Sequence, residues 1–390
     1  MMRPRLNPLI ASLSAPPIPA VQAWGRAYDG RLGPLVDLSQ AVPGYPPEPR
    51  MLNWLAEAAG SVAACGYGPI EGEDELRASY AAHQAALYGA PIAAENIHIT
   101  SGCNQAFVTA AMAIAGVGDA ILMTNPCYFN HETTLEMLGI APRYVRCHAE
   151  NGFLPTLDDI AAAISPDIRA LAIVTPNNPT GAIYPPALLA DLLALCRDRG
   201  IWLILDETYR DFLPLGAKRP HDLFSEPLWQ DNLIGLYSFS KSFCIPGHRL
   251  GAVTASPQMV DAIARIMDNV QICAPRAPQF AVAAAIAPLA AWREDNRAEI
   301  ARRADALSAA LDGVNGWTLD AIGAYFAFLR HPFEGESSTR ISERLAREAG
   351  IVTIPGAFFG PGNDRHLRVA FANATADVLA TLPARLRAVV

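Results

Sequence analysis

The sequence predicts an α/β protein: a large domain with a mostly parallel seven-stranded sheet sandwiched by helices, plus a smaller α+β domain. Three observations carry that reading. Seven short apolar runs recur between Asn96 and Ser256, helical periods separate several of them, and the texture turns charged after Pro288. A chain of 390 residues accommodates one large body with an attached smaller piece. It can bury enough surface to need no disulfide or metal staple.

The strand-like runs are Asn96–Thr100, Asp119–Thr124, Arg143–Arg146, Ala170–Thr175, Trp202–Asp206, Leu233–Ser238 and Leu250–Thr254. They are near-continuously apolar rather than alternating, as strands covered on both faces are. Pro185–Arg199, closed by Gly200, reads as a connecting helix. Only a short stretch joins the last two runs, which points to one antiparallel strand there. After Pro288 a charged helix is expected at Trp292–Leu311, then strands within Ala324–Leu329, Ile351–Ile354 and His366–Phe371. The Pro-rich stretch Leu38–Pro49 reads as an extended loop leading into the large body. The expected division is 45–287 for the large domain, with 1–44 and 288–390 forming the small one.

Composition excludes several classes. With 51% hydrophobic and 17% charged residues the chain is not globally disordered. A net charge of −8 argues against a nucleic-acid partner or an anionic membrane surface. No apolar run reaches spanning length. Five prolines interrupt Met1–Ala20, which therefore lacks the apolar segment of a secretory signal. Seven scattered cysteines with no C-x-x-C pair read as free thiols in a reducing cytoplasm, and no metal site is expected. Dinucleotide, P-loop and H-E-x-x-H motifs are all missing from the sequence.

Parallel sheets bind ligands beyond the carboxyl ends of their strands. Four such ends carry chemistry. Thr100-Ser-Gly-Cys-Asn104 opens a helix, Thr175-Pro-Asn-Asn-Pro-Thr-Gly181 is a carboxamide loop, Asp206-Glu-Thr-Tyr209 pairs a carboxylate with a phenol, and Ser238-Phe-Ser-Lys241 precedes Arg249. The helix start is a ready anion cradle, to which Arg249 adds countercharge. The chain has two lysines, Lys218 and Lys241, so any chemistry needing a primary amine has two candidates. Lys218 lies beside Arg219 and Pro220 and reads as a solvated surface amine. Lys241 follows an apolar strand among three serines, where desolvation would make it a nucleophile.

The constellation resembles the class I/II aminotransferases, fold type I enzymes that use pyridoxal 5′-phosphate. The matching segments are Tyr67 with Gly72 and Leu76-Arg77, Ser101-Gly-Cys-Asn-Gln-Ala106, Asn178-Pro-Thr-Gly181, Asp206-Glu-x-Tyr209, Ser238-x-Ser-Lys241 with Gly247, Arg249 and Gly251, and Arg368-Val-Ala-Phe371. The resemblance implies Lys241 as Schiff-base lysine and proton shuttle, and Asp206 as partner of the pyridinium nitrogen. It implies Tyr209 and Asn178 as donors to the ring's 3′ oxygen and Tyr128 as the stacking aromatic. The phosphate would be held by the amides of Gly102, Cys103 and Asn104, with Ser238, Ser240 and Arg249. Tyr67 would reach the phosphate of a neighbouring subunit, implying a homodimer with shared sites, and Arg368 would clamp the substrate α-carboxylate.

Three departures stand out. Ser39-Gln-Ala-Val-Pro43 stands where relatives carry Gln-Gly, so Ala41 is expected either to narrow the substrate mouth or to shift the lid, and Cys103 replaces a Gly, Ser or Ala in the phosphate cup. Arg276, framed by Pro275 and Pro278, is either a substrate side-chain clamp in trans or a structural interface arginine. The implied reaction is ping-pong transfer of an amino group from an L-amino acid to a 2-oxo acid. The alternative is another carbanion reaction of the same cofactor: elimination, decarboxylation or cyclisation. The Asp-Glu-x-Tyr form favours transfer.

Overall fold

In the computed structural model, which describes residues 4–314 and 316–389, the seven runs become one sheet. Its strands are β1 (Ile97–Thr100), β2 (Ala120–Asn125), β3 (Ala141–Arg146), β4 (Ile168–Val174), β5 (Trp202–Asp206), β6 (Leu233–Ser238) and β7 (Gly251–Thr254). Their spatial order is β1-β7-β6-β5-β4-β2-β3, and β7 alone runs antiparallel to its neighbours. Alternate residues show why the runs are apolar throughout. Leu203 and Leu205 of β5 pack into one hydrophobic layer, while Ile204 between them packs into the opposite one. Leu171 and Ile173 of β4 divide in the same way from Ala170 and Ala172.

Helices cover both faces. Those that position the site are α1 (Asp74–Tyr88), α2 (Cys103–Ile114) and α3 (Phe129–Leu138). Both α1 and α3 stop at glycines in the left-handed region, Gly89 and Gly139. The connecting helix expected near Pro185 spans Pro186–Asp198.

The second sheet is antiparallel throughout, with strands β8 (Thr318–Gly323), β9 (Phe326–Arg330), β10 (Ile354–Pro355) and β11 (His366–Val369) in the order β10-β11-β9-β8. Strand β8 has no apolar run to announce it, since its residues are only half buried. The expected strand at Ile351–Ile354 is split. Ile351–Val352 instead pairs in parallel with Val36–Asp37. This two-residue ladder carries residues 38–44 across the small domain, where Ala370 donates to Leu38 O and Gly44 to Ala372 O.

We propose the domain division at 44/45 and 287/288, which the side-chain clusters follow only in part, since Tyr45 still packs on the small core and Leu289 lies in the large one. Met51 and Leu55 join the large-domain core, whereas Leu38 and Ile300 join that of the small domain. The long helix α4 (Ala290–Leu311) bridges the two, with Trp292 on the large core and Leu307 in the small one. Among the described residues no helix is long and apolar enough to cross a membrane.

The domains meet backbone to backbone at Gly181. A Cβ there would lie 2.4 Å from Gly323 N and 2.5 Å from Phe326 O, and its φ is +80°. Gly181→Ala is therefore expected to cost roughly 1–3 kcal/mol from backbone conformation alone, with the clash added. A thermal melt checks this, and an unchanged midpoint would show that the contact yields freely.

Candidate active site

The carboxyl ends of β4, β5 and β6 and the amino end of α2 enclose a cavity of about 260 Å3. Cys103, Asn104, Tyr128, Asn178, Asp206, Tyr209, Ser238, Ser240, Lys241 and Arg249 all line it, so ten residues singled out from the sequence converge here.

Asp206 ends β5 with its carboxylate buried. Burial alone would push its pKa up. Hydrogen bonding and charge from His131, joined by Thr208, outweigh that and hold it below the ordinary carboxylate range. His131 Nε2 lies 3.3 Å from Asp206 Oδ2, and Thr208 N donates to Oδ1 at 2.9 Å. His131 is itself fixed by stacking on Phe107, with centroids 3.8 Å apart, and by the edge of Tyr128. His131 belongs to no motif that marks it in the sequence. Its only signal is its place on α3, three residues after Tyr128 and thus on the same side of that helix start.

Lys241 sits in a single helical turn directly after β6. Burial, then the charges of Arg249 and Arg368, lower its pKa from 10.5 to about 8. Its amine donates to the carbonyl of Ala41. Ala41 thus touches the site through its backbone, on the loop tethered by the ladder at Val36–Asp37.

Arg368, on β11, is fully buried. Its Nη1 donates to Asn178 Oδ1 at 3.0 Å, and Nη2 donates to Ser39 O. Its Nε–H is buried without a partner. The guanidinium packs over Phe326 and Phe359, and burial lowers its pKa to about 10. Such a cation is short of one acceptor group, which an incoming carboxylate would provide.

At the helix start, Gly102 has φ +85°, and a Cβ there would lie 2.3 Å from Arg249 Nη2. Only a glycine lets this guanidinium approach the turn. Arg249 itself adopts φ +50°, an uncommon backbone conformation for a residue with a side chain. The amides of Cys103 and Asn104 open α2 and have no acceptor within it. Burial raises the Cys103 thiol well above its ordinary pKa, so Cys103 is a neutral wall here. The hydroxyl of Ser240 is buried and unpartnered. Burial likewise raises Tyr128, to about 12, and Tyr209, so both phenols are neutral donors.

Two residues stand apart. Tyr67 is 81% exposed and takes no part in its own chain's cavity. Arg276 is engaged within the chain. Its Nε lies 2.5 Å from Glu73 Oε1 and its Nη2 3.3 Å from Oε2, while Nη1 donates to Ala63 O and Gly66 O. These contacts within the chain give Arg276 a structural role of its own, tying the segment 63–73 to the helix that begins at Arg276.

Fold and site together define an enzyme that does its chemistry at the strand ends of a large α/β body, with Ala41 and Arg368 reaching the edge of the cavity. The family description "Aminotransferase class I and II" matches residues 34–386, and the chain belongs to that family. It is 28% identical over 380 residues to the aromatic aminotransferase ISS1 of Arabidopsis thaliana, covering 94% of this chain and 92% of the relative. It is also 28% identical over 373 residues to the valine–pyruvate aminotransferase of Mycobacterium tuberculosis, covering 93% and 94%. Among solved structures, a double mutant of Thermus thermophilus aspartate aminotransferase superposes with a TM-score of 0.91 at 24% identity, with both chains fully covered, a likeness of fold. The expected fold class and family hold, and the chain is a transferase.

Replacing Arg276 by Gln is expected to lower the melting midpoint by roughly 2–5 °C and to speed proteolysis near Cys65. It should leave the relative kcat/KM for acidic and uncharged amino acids unchanged. A selective loss of acidic substrates would put this arginine on the substrate instead.

Proposed function

We propose that this enzyme is a pyridoxal 5′-phosphate-dependent aminotransferase that passes an amino group from an L-amino acid to a 2-oxo acid in two half-reactions. The observation that carries the proposal is one cavity holding a desolvated lysine, an ionised buried carboxylate and a cationic helix-start cradle. The donor set fits that cofactor. The unpartnered Ser240 hydroxyl and the glycine-bounded space beside Arg249 suit a phosphate. The ionised Asp206 suits a protonated ring nitrogen.

When bound, the cofactor supplies an aldehyde that condenses with amines and a ring that accepts the electron pair left at Cα. The remaining work falls to the chain. Asp206 would hold a proton on the ring nitrogen, itself supported by His131. Tyr209 and Asn178 would donate to the 3′ oxygen, and Tyr128 would pack on the ring. Gly102, Cys103 and Asn104 present backbone amides to the phosphate, joined by Ser238, Ser240 and Arg249. Lys241 would hold the cofactor, and its desolvated amine is the base placed to take the proton from the substrate Cα and return it. Arg368 orients the substrate through its α-carboxylate, with Asn178 holding the guanidinium in place. The backbone at Ala41 closes the mouth.

The exposed Tyr67 is read as completing the site of a second copy, which makes the working unit a homodimer with shared active sites. The seven cysteines are free among the described residues, in keeping with a cytoplasmic enzyme.

The test is the visible spectrum of the cofactor-loaded protein during titration with L-amino acids and no oxo acid. Stoichiometric loss of the yellow form with one class of amino acid is the expected result, and Lys241→Ala should abolish turnover while keeping the fold. Persistence of the yellow form while ammonia accumulates would replace transfer by elimination. A protein that never turns yellow would overturn the cofactor assignment.

The lowered lysine pKa gives a second expectation. The neutral amine is the reactive form, and its fraction rises with pH through the group's pKa. Uptake of pyridoxal phosphate by the apoprotein should accelerate between about pH 7 and 9, with a midpoint near 8. Stopped-flow absorbance measures it. A midpoint above 10 would mean that the amine is solvated.

A further inference from the structure

A second cleft, of about 400 Å3, opens between the domains beyond the end of β3. Arg146 and His148 line it from the large domain, and Arg330, Arg365 and His366 from the small one. Two carboxylates, Asp320 and Glu150, face these five basic groups. Asp320 is already committed. Arg330 Nε lies 2.9 Å from its Oδ2, and His366 Nε2 lies 2.8 Å from the same oxygen.

Arg146 and Arg365 form no ion pair among the described residues. In a chain of net charge −8, two uncommitted guanidiniums sharing one cleft are a local reversal of sign. Part of the lining is also short of partners. Arg365 donates through Nη2 to His331 O at 3.1 Å, but its Nε–H is buried and unpartnered. His366 Nδ1 is likewise buried without a partner, and its ring is locked face to face on Phe328. The Arg146 guanidinium lies close to the small domain at Gly362, where a Cβ would be in ordinary van der Waals contact with it, 3.5 Å from its central carbon.

We propose that this cleft is a second ligand site, for a small multiply charged oxyanion that ties the two domains together through Arg146 and Arg365. The chemistry fits phosphate esters and polycarboxylates alike, because guanidinium pairs with either in bidentate fashion. The site stands on its own geometry and does not depend on the proposed reaction. It is nevertheless coupled to the catalytic cavity. His366 lies two residues before Arg368 on β11 and therefore on the same sheet face. Asn363, also in the lining, donates to Asn125 Oδ1 at 2.7 Å, at the start of the turn that leads to Tyr128. An anion drawing the domains together here should lower KM for the amino acid more than it changes kcat.

The test uses cofactor-loaded enzyme, so that the phosphate cradle beside Arg249 is filled. Calorimetric titrations with inorganic phosphate and with citrate decide which oxyanion class is preferred. The expected result is saturable binding of one of them, one per chain, weakened about tenfold or more by Arg146→Gln and by Arg365→Gln. Both variants should keep the basal rate measured without the anion. Arg146 is exposed, so its replacement tests the site even if Arg365→Gln disturbs the fold. Binding that survives both substitutions, or no saturable binding by either probe, would overturn the proposal.

Discussion

Asp206 must stay ionised after being stripped of water, and much of the surrounding structure follows from that requirement. Removing a lone carboxylate from water costs several kcal/mol. Here the cost is offset by a strand-end amide and an imidazole that is itself clamped between aromatic rings. The apolar run of β5 delivers the carboxylate to the cavity, and the next residue continues the logic on the other side. Glu207 is equally buried but bonds Tyr88 at 2.8 Å and His221 at 3.1 Å, with Arg210 at 3.8 Å. Arg210 in turn donates to Tyr80 and Tyr88 and lies over the ring of Tyr237. Two adjacent acids thus serve opposite ends. One faces a cavity open to ligand, and the other ties α1 to the back of the sheet.

The charge balance of the cavity follows from the same constraint. Asp206 is its one carboxylate among the described lining residues, against Lys241 and Arg249, with Arg368 near enough to depress the lysine. Burial first, and then the charges of Arg249 and Arg368, depress the lysine pKa, and the same surplus of positive charge favours anionic ligands. The cations come from different parts of the fold: Lys241 and Arg249 from the turns around β6 and β7, Arg368 from the small sheet. Their spacing depends on how the domains meet, and Gly181 against Gly323 sets that meeting at backbone distance.

The seven strands and the site on their ends were legible because both are encoded locally. A run of apolar residues specifies a doubly covered strand, and the polar residues just after it fall into place once the strand direction is known. Even the antiparallel β7 was signalled by a connection too short to cross over. What escaped was encoded in distant pairs. The embrace of Glu73 by Arg276 joins residues 203 apart in sequence, and nothing near either one announces it. His131 gains its role only because α3 packs beside Phe107. The half-buried β8 lacks the apolar signal of the central strands, and the run Ile351–Ile354 splits because Val36–Asp37 claims its first half.

Strand β11 joins the functional halves of the molecule. Its alternation places His366 and Arg368 on one face, the first lining the interdomain cleft and the second bonded to Asn178 at the edge of the catalytic cavity. The chain between them is pinned on both sides, by β9 through Leu329–Leu367 and Phe328–Arg368 and by β10 through Ile354–Arg368. A force on His366 cannot be absorbed by a loose loop; it is passed along a paired strand to the buried guanidinium. Phe328 strengthens the link, since it stacks on His366 and lies opposite Arg368 in the ladder. The proposed carboxylate clamp and the lining of the interdomain cleft are therefore carried by one doubly paired strand, so a shift of that strand at either place reaches the other.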